Sequence, residues 1–443
     1  MADTIPAAVK YCVVGAGVHG LSTAWHLAQE LKARNRGTGA DVVVLDKTGV
    51  AAGASGIACG VVRNYYVQPA MGELMAHSVS VWESDPETFH YHPVGYIALA
   101  GDVQRNDFES IAARHEKIGY RARLVRGEQP VFDYMRAIFP DWRARGLSVC
   151  LHEFQGGFAF NRESMRGLAR KAAAEGVRIF PGVTVTGFDR AAGDGTVRTV
   201  RTNSGDVAVD QVVIGVGPWI KQVWEMLGLS PKIDVARGGT LHPGLGMWTY
   251  WQLQEGEIHV DPRSYAKADG GMPPVMHVDS SEPLLEDGSG RKLADGLWGI
   301  YFKRDREGVQ GGAVPIRLGS EAQVDPYGPR SPHYTVRDDF PAYWTAGLAH
   351  CLERFRGCSR LYKRAPTGGI GCFTVDNFPV FDWMRPNVYV IADSNHGYKM
   401  IGVGKEVARV LMGERSSLLH PFRFSRFAEG ALHPRSSGPF PWT

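Results

Sequence analysis

The chain has few cysteines: six in 443 residues, at positions 12, 59, 150, 351, 358 and 372. They form no CxxC pair and no cysteine–histidine cluster of zinc-ligand spacing, which argues against a disulfide framework and against any bound metal. No apolar run is long enough to cross a bilayer, and the opening MADTIPAAVKY lacks the charged and apolar regions of a signal peptide, so a cytoplasmic protein without membrane contact is expected. An excess of one charge is also missing. The 49 basic and 46 acidic residues give a net charge of +3, spread without a basic stripe, so no nucleic-acid partner is expected and a small substrate must be attracted locally. No internal repeat is visible. A hydrophobic content of 44% in a chain of this length predicts a large core and more than one domain. Cys12, inside an apolar run, reads as a small buried hydrophobe. The end, HPRSSGPFPWT, reads as a tail that is either disordered or pinned by Trp442.

The first strong pattern is YCVVGAGVHGLSTAWHLA, Tyr11 to Ala28. Lys10 to Val14 predict a buried parallel strand, and Val18 to Ala33 recur at helical spacing. Between them Gly15, Gly17 and Gly20 form G-x-G-x-x-G. Gly15 permits the tight turn, Gly17 lets a pyrophosphate approach the backbone, and Gly20 lets helix pack on strand, with the phosphates at the helix N-terminus. His19 lies within this cradle and is counted with it, although His19 and His26 read equally as helix-packed or solvent-facing. The strand DVVVLDK ends in Asp46, placed where its carboxylate can accept both hydroxyls of an adenosine ribose. It stands 26 residues beyond Gly20, the excess over about 20 being a glycine-containing loop. A dinucleotide site follows, and at this point both NAD and FAD satisfy it.

After Asp46 a nicotinamide enzyme continues with another crossover helix. Here KTGVAAGASGIACGVVRNYY follows, a run of small residues that lets backbone lie along an extended cofactor, with Lys47, Ser55, Cys59, Gly60 and Val61 expected beside it. This resembles the FAD-dependent D-amino-acid oxidase superfamily, in the branch of sarcosine oxidase, dimethylglycine dehydrogenase and glycine oxidase. Four further stretches carry the likeness in order. GGFAFNRESMRGLARKAAAEGVRIFPGVTVTGFDR resembles the central helix and strand, where Val183 to Val185 correspond to backbone that touches adenine. VAVDQVVIGVGPWIKQVWEMLGL resembles the second glycine turn, at Gly215 and Gly217. RAPTGGIGCFTVDNFPVFD resembles the T-x-D-x-x-P turn. NVYVIADSNHGYKMIGVGKEVARVLMG resembles the last strand and the flavin-contacting turn, with Gly397, Tyr398, Lys399 and Met400 at a helix start.

The resemblance implies an α/β (overall α+β) protein: a Rossmann-type FAD-binding domain with an inserted, mostly antiparallel substrate sheet. The expected division is 1–80, 151–230 and 344–425 for FAD, 81–150 and 231–343 for substrate, and 426–443 as tail. It also implies non-covalent FAD, since Gly369 stands where some members carry the linking cysteine, with Cys372 three residues on, and SGIACGVV lacks the histidine used by others. Arg63 corresponds to a carboxylate-binding arginine and Lys399 to a second cation, so the expected substrate is an amino acid or N-alkyl amino acid oxidised at its C–N bond. The Gly397 to Met400 amides would face the flavin's N1 and O2. Tyr65 and Tyr66 read as pocket wall or packing, and His396 as a turn former. Gln310 falls near the place where relatives have an oxygen-activating lysine, so oxygen and another electron acceptor both stay open. A larger pathway amine, a C–OH substrate served by Tyr301, His277 or His259, and a flavin subunit needing a partner remain alternatives, as do a monomer and a homo-oligomer.

Overall fold

The computed structural model describes residues 4–328, 330–363, 369–393 and 396–440, and Trp442 lies outside them. The valine-rich runs form the centre of an eight-stranded sheet among those residues. Ala8–Val14 pairs in parallel with Val42–Asp46 on one side and with Gly205–Ile214 on the other. Arg178–Pro181 and Val388–Ala392 extend the parallel set outward. Alternate residues bury on opposite faces. Val13, Val44 and Val213 meet the helices Val18–Ala33, Asn161–Ala174 and Gly402–Leu411, while Cys12, Val43 and Val212 belong to the apolar cluster across the sheet. Covering on both faces is what a parallel sheet requires and why these strands read as continuous apolar runs. Cys12 has no exposed surface, and burial pushes its thiol up to about 12.

A second sheet of nine strands is mostly antiparallel. Its spine is Thr249–His259 against Gly308–Gly319, followed by Trp298–Arg304 and Val275–Ser280. One pairing is parallel, Val275–Ser280 with Tyr96–Ala100, where the two separately inserted stretches of chain meet. The boundaries drawn from the sequence shift at two places. Val149–Glu153 and Gly369–Phe373 both lie in this second sheet, the latter pairing Thr249–Leu253. The apolar GIGCF edge is satisfied by the long neighbouring strand, and the chain returns to the first sheet only at Val380–Arg385.

The T-x-D-x-x-P turn between them is a structural clamp. The Thr374 hydroxyl donates to Asp376 at 2.8 Å, and Arg426 grips both carboxylate oxygens of Asp376 at 2.9 and 3.0 Å. Burial would raise the Asp376 carboxyl, but the Arg426 charge holds it below the usual range. Arg426 opens the stretch read as a tail, and that stretch is built in as far as Phe440, the last described residue. Gln68 Nε2 donates to the Pro434 carbonyl at 2.7 Å, the Ser437 amide and hydroxyl donate to Asp107 at 2.7 and 2.6 Å, and Phe440 is buried in the second sheet's concavity. Because removing Arg426 leaves a buried carboxylate unpaired, Arg426→Ala is expected to destabilise the fold by about 3–5 kcal/mol. Chemical denaturation measures this; an unchanged midpoint and slope would show that the clamp contributes nothing.

Candidate functional site

The two glycine turns meet at the carboxyl ends of the parallel strands. Gly15 has φ +108°, and a Cβ there would stand 2.3 Å from the Gly215 carbonyl oxygen. A Cβ at Gly20 would stand 1.8 Å from the Gly15 carbonyl, so Gly20 serves packing and lies behind the surface. In front of these turns a groove with an empty volume of about 1340 Å³ runs from Asp46 and Val185, past Gly17, His19 and Gly217, to Gly397 and Tyr398. Its backbone lining and position above the strand ends suit an extended dinucleotide.

Several expected residues also do unexpected work there. The Asp46 carboxylate accepts the amides of Ala16, Thr48 and Gly49 at 2.8, 2.8 and 2.6 Å. Three of its roughly four lone-pair directions are thereby used, which leaves one for a ribose where the sequence suggested two. Ser55 Oγ accepts the Val18 amide at 3.1 Å and caps the first helix. Lys47 pairs with Asp325, and its ammonium sits 4.2 Å from the Trp219 ring, whose Nε1 donates to the same Asp325 at 2.9 Å. His19 is packed rather than solvent-facing: its Nε2 lies 3.0 Å from Asp393 Oδ2, and its Nδ1 has no partner. Asp393 went unpredicted although it follows VYVIA as Asp46 follows VVVL, and its carboxyl, despite burial, is held low by His19 and His396.

The turn Gly397–Lys399 closes the groove and requires a correction. The helix begins at Gly402, and the amides of Lys399 and Met400 donate to His396 and Gly397 carbonyls at 3.2 and 3.0 Å. Those two are spent inside the turn, and Met400 is fully buried behind it. Outside anchors fix the turn: Trp82 Nε1 donates to the Lys399 carbonyl at 3.0 Å, and the Tyr398 and Ser164 hydroxyls are 2.6 Å apart.

Ala58, Leu253 and Tyr398 are shared with a second cavity of about 620 Å³ under the nine-stranded sheet. Cys59, Gly60 and Val61 line this cavity rather than the groove. Both predicted cations line it too. Arg63 follows a two-residue strand, Val61–Val62, that pairs with Gly157–Phe158, and the adjoining Asn64 amide donates to buried Glu153 at 2.8 Å. Arg63 is 5% exposed, and its guanidinium donates to the Tyr65 carbonyl and lies 4.6, 5.5 and 5.6 Å from the rings of Tyr66, Tyr65 and Tyr96. Tyr65 and Tyr66 do not line the cavity; they hold Arg63. Among the described residues no carboxylate comes within 4.0 Å of Arg63 or of Lys399. Burial, reinforced by the Arg63 charge, lowers Lys399 to about 7.

Three lining groups went unpredicted. Glu255 Oε1 accepts the Tyr301 hydroxyl at 2.7 Å, and burial pushes this carboxyl up to about 7. Tyr96 is bonded at 2.8 Å to His277 Nδ1, whose Nε2 meets Asp279 at 2.9 Å. Phe440 packs against His277 and Tyr301 with ring centroids 5.4 and 6.0 Å away. Alternation in TYWQLQEGEIH places Leu253 and Glu255 on one face and was the available signal for Glu255. Nothing local marked Phe440. His259 instead sits outside with Glu257 and Glu307, each 3.4 Å away, and Gln310 lines neither cavity.

Gly15→Ala is expected to leave the purified protein without flavin, since the new methyl meets the Gly215 carbonyl of the second glycine turn at 2.3 Å and a φ of +108° strains any side chain there. The ratio of visible to ultraviolet absorbance reports this, and wild-type colour in the variant would contradict it.

Residues 10–262 match the family DAO, FAD dependent oxidoreductase. The chain is 28% identical over 232 residues to sarcosine oxidase subunit beta of Rhizobium meliloti, covering 50% of this chain and 52% of that one, so it spans about half the length of this relative. It is 29% identical over 301 residues to the uncharacterized oxidoreductase YurR of Bacillus subtilis, covering 64% and 70%. The solved L-proline dehydrogenase from P. horikoshii shares the fold with a TM-score of 0.73 at 18% identity, over 97% of this chain and 100% of that one. With more than half its length inside the matching pattern and the paired glycine turns in place, the chain belongs to the DAO family of FAD-dependent oxidoreductases.

Proposed function

We propose that the protein binds FAD non-covalently in the groove and oxidises the C–N bond of an amino acid or N-alkyl amino acid held in the second cavity. The observation that carries this reading is the pair of buried cations without carboxylate partners, at the end of the groove where the turn Gly397–Lys399 joins the two spaces. FAD, when bound, supplies the hydride acceptor for the carbon beside nitrogen. The chain supplies placement. Arg63 offers a bidentate fork to the substrate carboxylate, and Lys399 adds a second positive charge from the turn. Tyr96, Tyr301 and Phe440 wall the cavity and keep water from the reacting carbon. Non-covalent attachment is supported by Cys372, which is buried and lines neither cavity, and by the absence of histidine between Ser55 and Val62.

His277 argues against the alcohol alternative, because both its ring nitrogens are already bonded and neither is free to take a hydroxyl proton. Oxygen or another electron acceptor would reoxidise the flavin, and the isolated chain's turnover, measured with its size in solution, separates a self-sufficient enzyme from a subunit.

Anaerobic mixing with a panel of amino and N-methylamino acids is expected to bleach the oxidised flavin; no bleaching by any carboxylate-bearing amine would reject the substrate class. Arg63→Ala is expected to weaken transition-state binding by about 1.5–3 kcal/mol, roughly 10- to 100-fold in kcat/KM, with KM raised. Lys399 holds its proton below about pH 7 and releases it above, so an amine-free carboxylate should bind less tightly as pH rises through that value. Titration of the holoenzyme at several pH values checks the slope, and Lys399→Met should flatten it.

A further inference from the structure

Glu255 has one carboxylate oxygen committed and one free. Oε1 takes the Tyr301 hydroxyl at 2.7 Å, while Oε2 is buried in the wall of the cavity and has no hydrogen-bond partner. The residue is 2% exposed, and an unbonded carboxylate oxygen at such depth is costly unless something donates to it. Donors and cations face it: the Tyr301 hydroxyl and Lys303 from the neighbouring strand, the Cys59 amide, which favours the ionised carboxyl but does not reach Oε2 with hydrogen-bond geometry, and Lys399 from the turn, with the buried Cys59 thiol also near. Neither lysine reaches it, since no ion pair joins Glu255 to Lys303 or Lys399 within 4.0 Å. The cavity therefore presents two positive groups and one acceptor with an open position. That is the complement of a zwitterion, whose carboxylate and ammonium sit one carbon apart.

We infer that Glu255 Oε2 receives the substrate's ammonium N–H, so the site selects amino acids whose nitrogen carries at least one hydrogen and takes that proton before oxidation. This rests on the reading that the carboxylate lies against Arg63 and Lys399. In the step, an N–H bond breaks with its electron pair left on nitrogen, and an O–H bond forms at Oε2. Glu255 becomes the neutral acid and the amine becomes neutral, which is the form able to release hydride from its adjacent carbon. The raised affinity of this carboxyl for protons, which burial produces, suits such an exchange near neutrality. Glu255 touches the substrate in this account and is a catalytic residue.

Binding rather than turnover tests it. In the holoenzyme with its flavin reduced, no oxidation takes place, and anaerobic calorimetry can compare matched pairs: N-methylglycine with methoxyacetate, and proline with cyclopentanecarboxylate. In at least one pair the amino acid should bind about tenfold or more tightly than its amine-free partner. Glu255→Gln should bring that ratio close to one. In the wild type the ratio should also grow as pH rises through about 7, where Glu255 ionises, because Lys399 acts on both members of a pair alike. A ratio that survives Glu255→Gln, or one that stays flat or shrinks with rising pH, overturns the inference while leaving the carboxylate site standing. Failure of both members of every pair to bind overturns that site and this inference with it.

Discussion

A guanidinium keeps its charge at any pH a folded protein meets, so burying one commits the surroundings to compensating it. Arg63 is buried with no carboxylate within 4.0 Å among the described residues, although the buried Glu153 carboxyl acts on it from farther off, and the effective penalty for a buried ion is several kcal/mol. Aromatic faces return part of this, about 2 kcal/mol or more for a desolvated cation, and Arg63 has three such faces around it. The remainder is the attraction available to an anion that enters. The surroundings are arranged to keep the group in that state. Tyr65, against which it lies, is tied through its hydroxyl to Gln104 at 3.3 Å, and Gln104 is tied to Asp279 at 3.0 Å, so the negative charge of Asp279 is kept behind the wall and spent on its neighbours.

Lys399 repeats the constraint from the other side, and its turn links the second cavity to the groove. Its side chain lines the second cavity while Gly397 and Tyr398 of the same turn line the groove. The turn that borders both spaces is anchored by Trp82 and Ser164. The strap ending in Phe440 completes the enclosure, and it is secured far from the site by the Arg426–Asp376 clamp. The second cavity thus takes Lys399 from the turn after the first sheet, Arg63 from the end of the short strand Val61–Val62, its walls from the second sheet and Phe440 from the C-terminal strap.

Features set by short stretches of chain were legible in the sequence. The glycine turn needs backbone freedom at Gly15 and close approach at Gly20, and both demands are written within six residues. Asp46 was legible as a strand-end carboxylate, though its bonds to three amides were not, because the loop amides that fold back on it have no pattern of their own. Arg63 and Lys399 came from resemblance, since an arginine or lysine in a loop carries no sign of burial. Glu255 and Phe440 escaped notice for a related reason: one is a polar residue on a strand whose inward face becomes cavity only after the second sheet curves, and the other arrives through a tail that composition reads as loose. The sheet that takes the strand Gly369–Phe373 is not legible, because an apolar edge fits either sheet until its neighbour is known.

The central claim is that the two buried cations face one anion in front of the flavin, and a crystal structure of the flavin-loaded protein with an amine-free carboxylate trapped in it tests this most directly. The account predicts the carboxylate oxygens within hydrogen-bond reach of both the Arg63 guanidinium and the Lys399 ammonium, in the cavity shared with Tyr96 and Phe440. A carboxylate bound elsewhere, with these two side chains turned away from it, would contradict it.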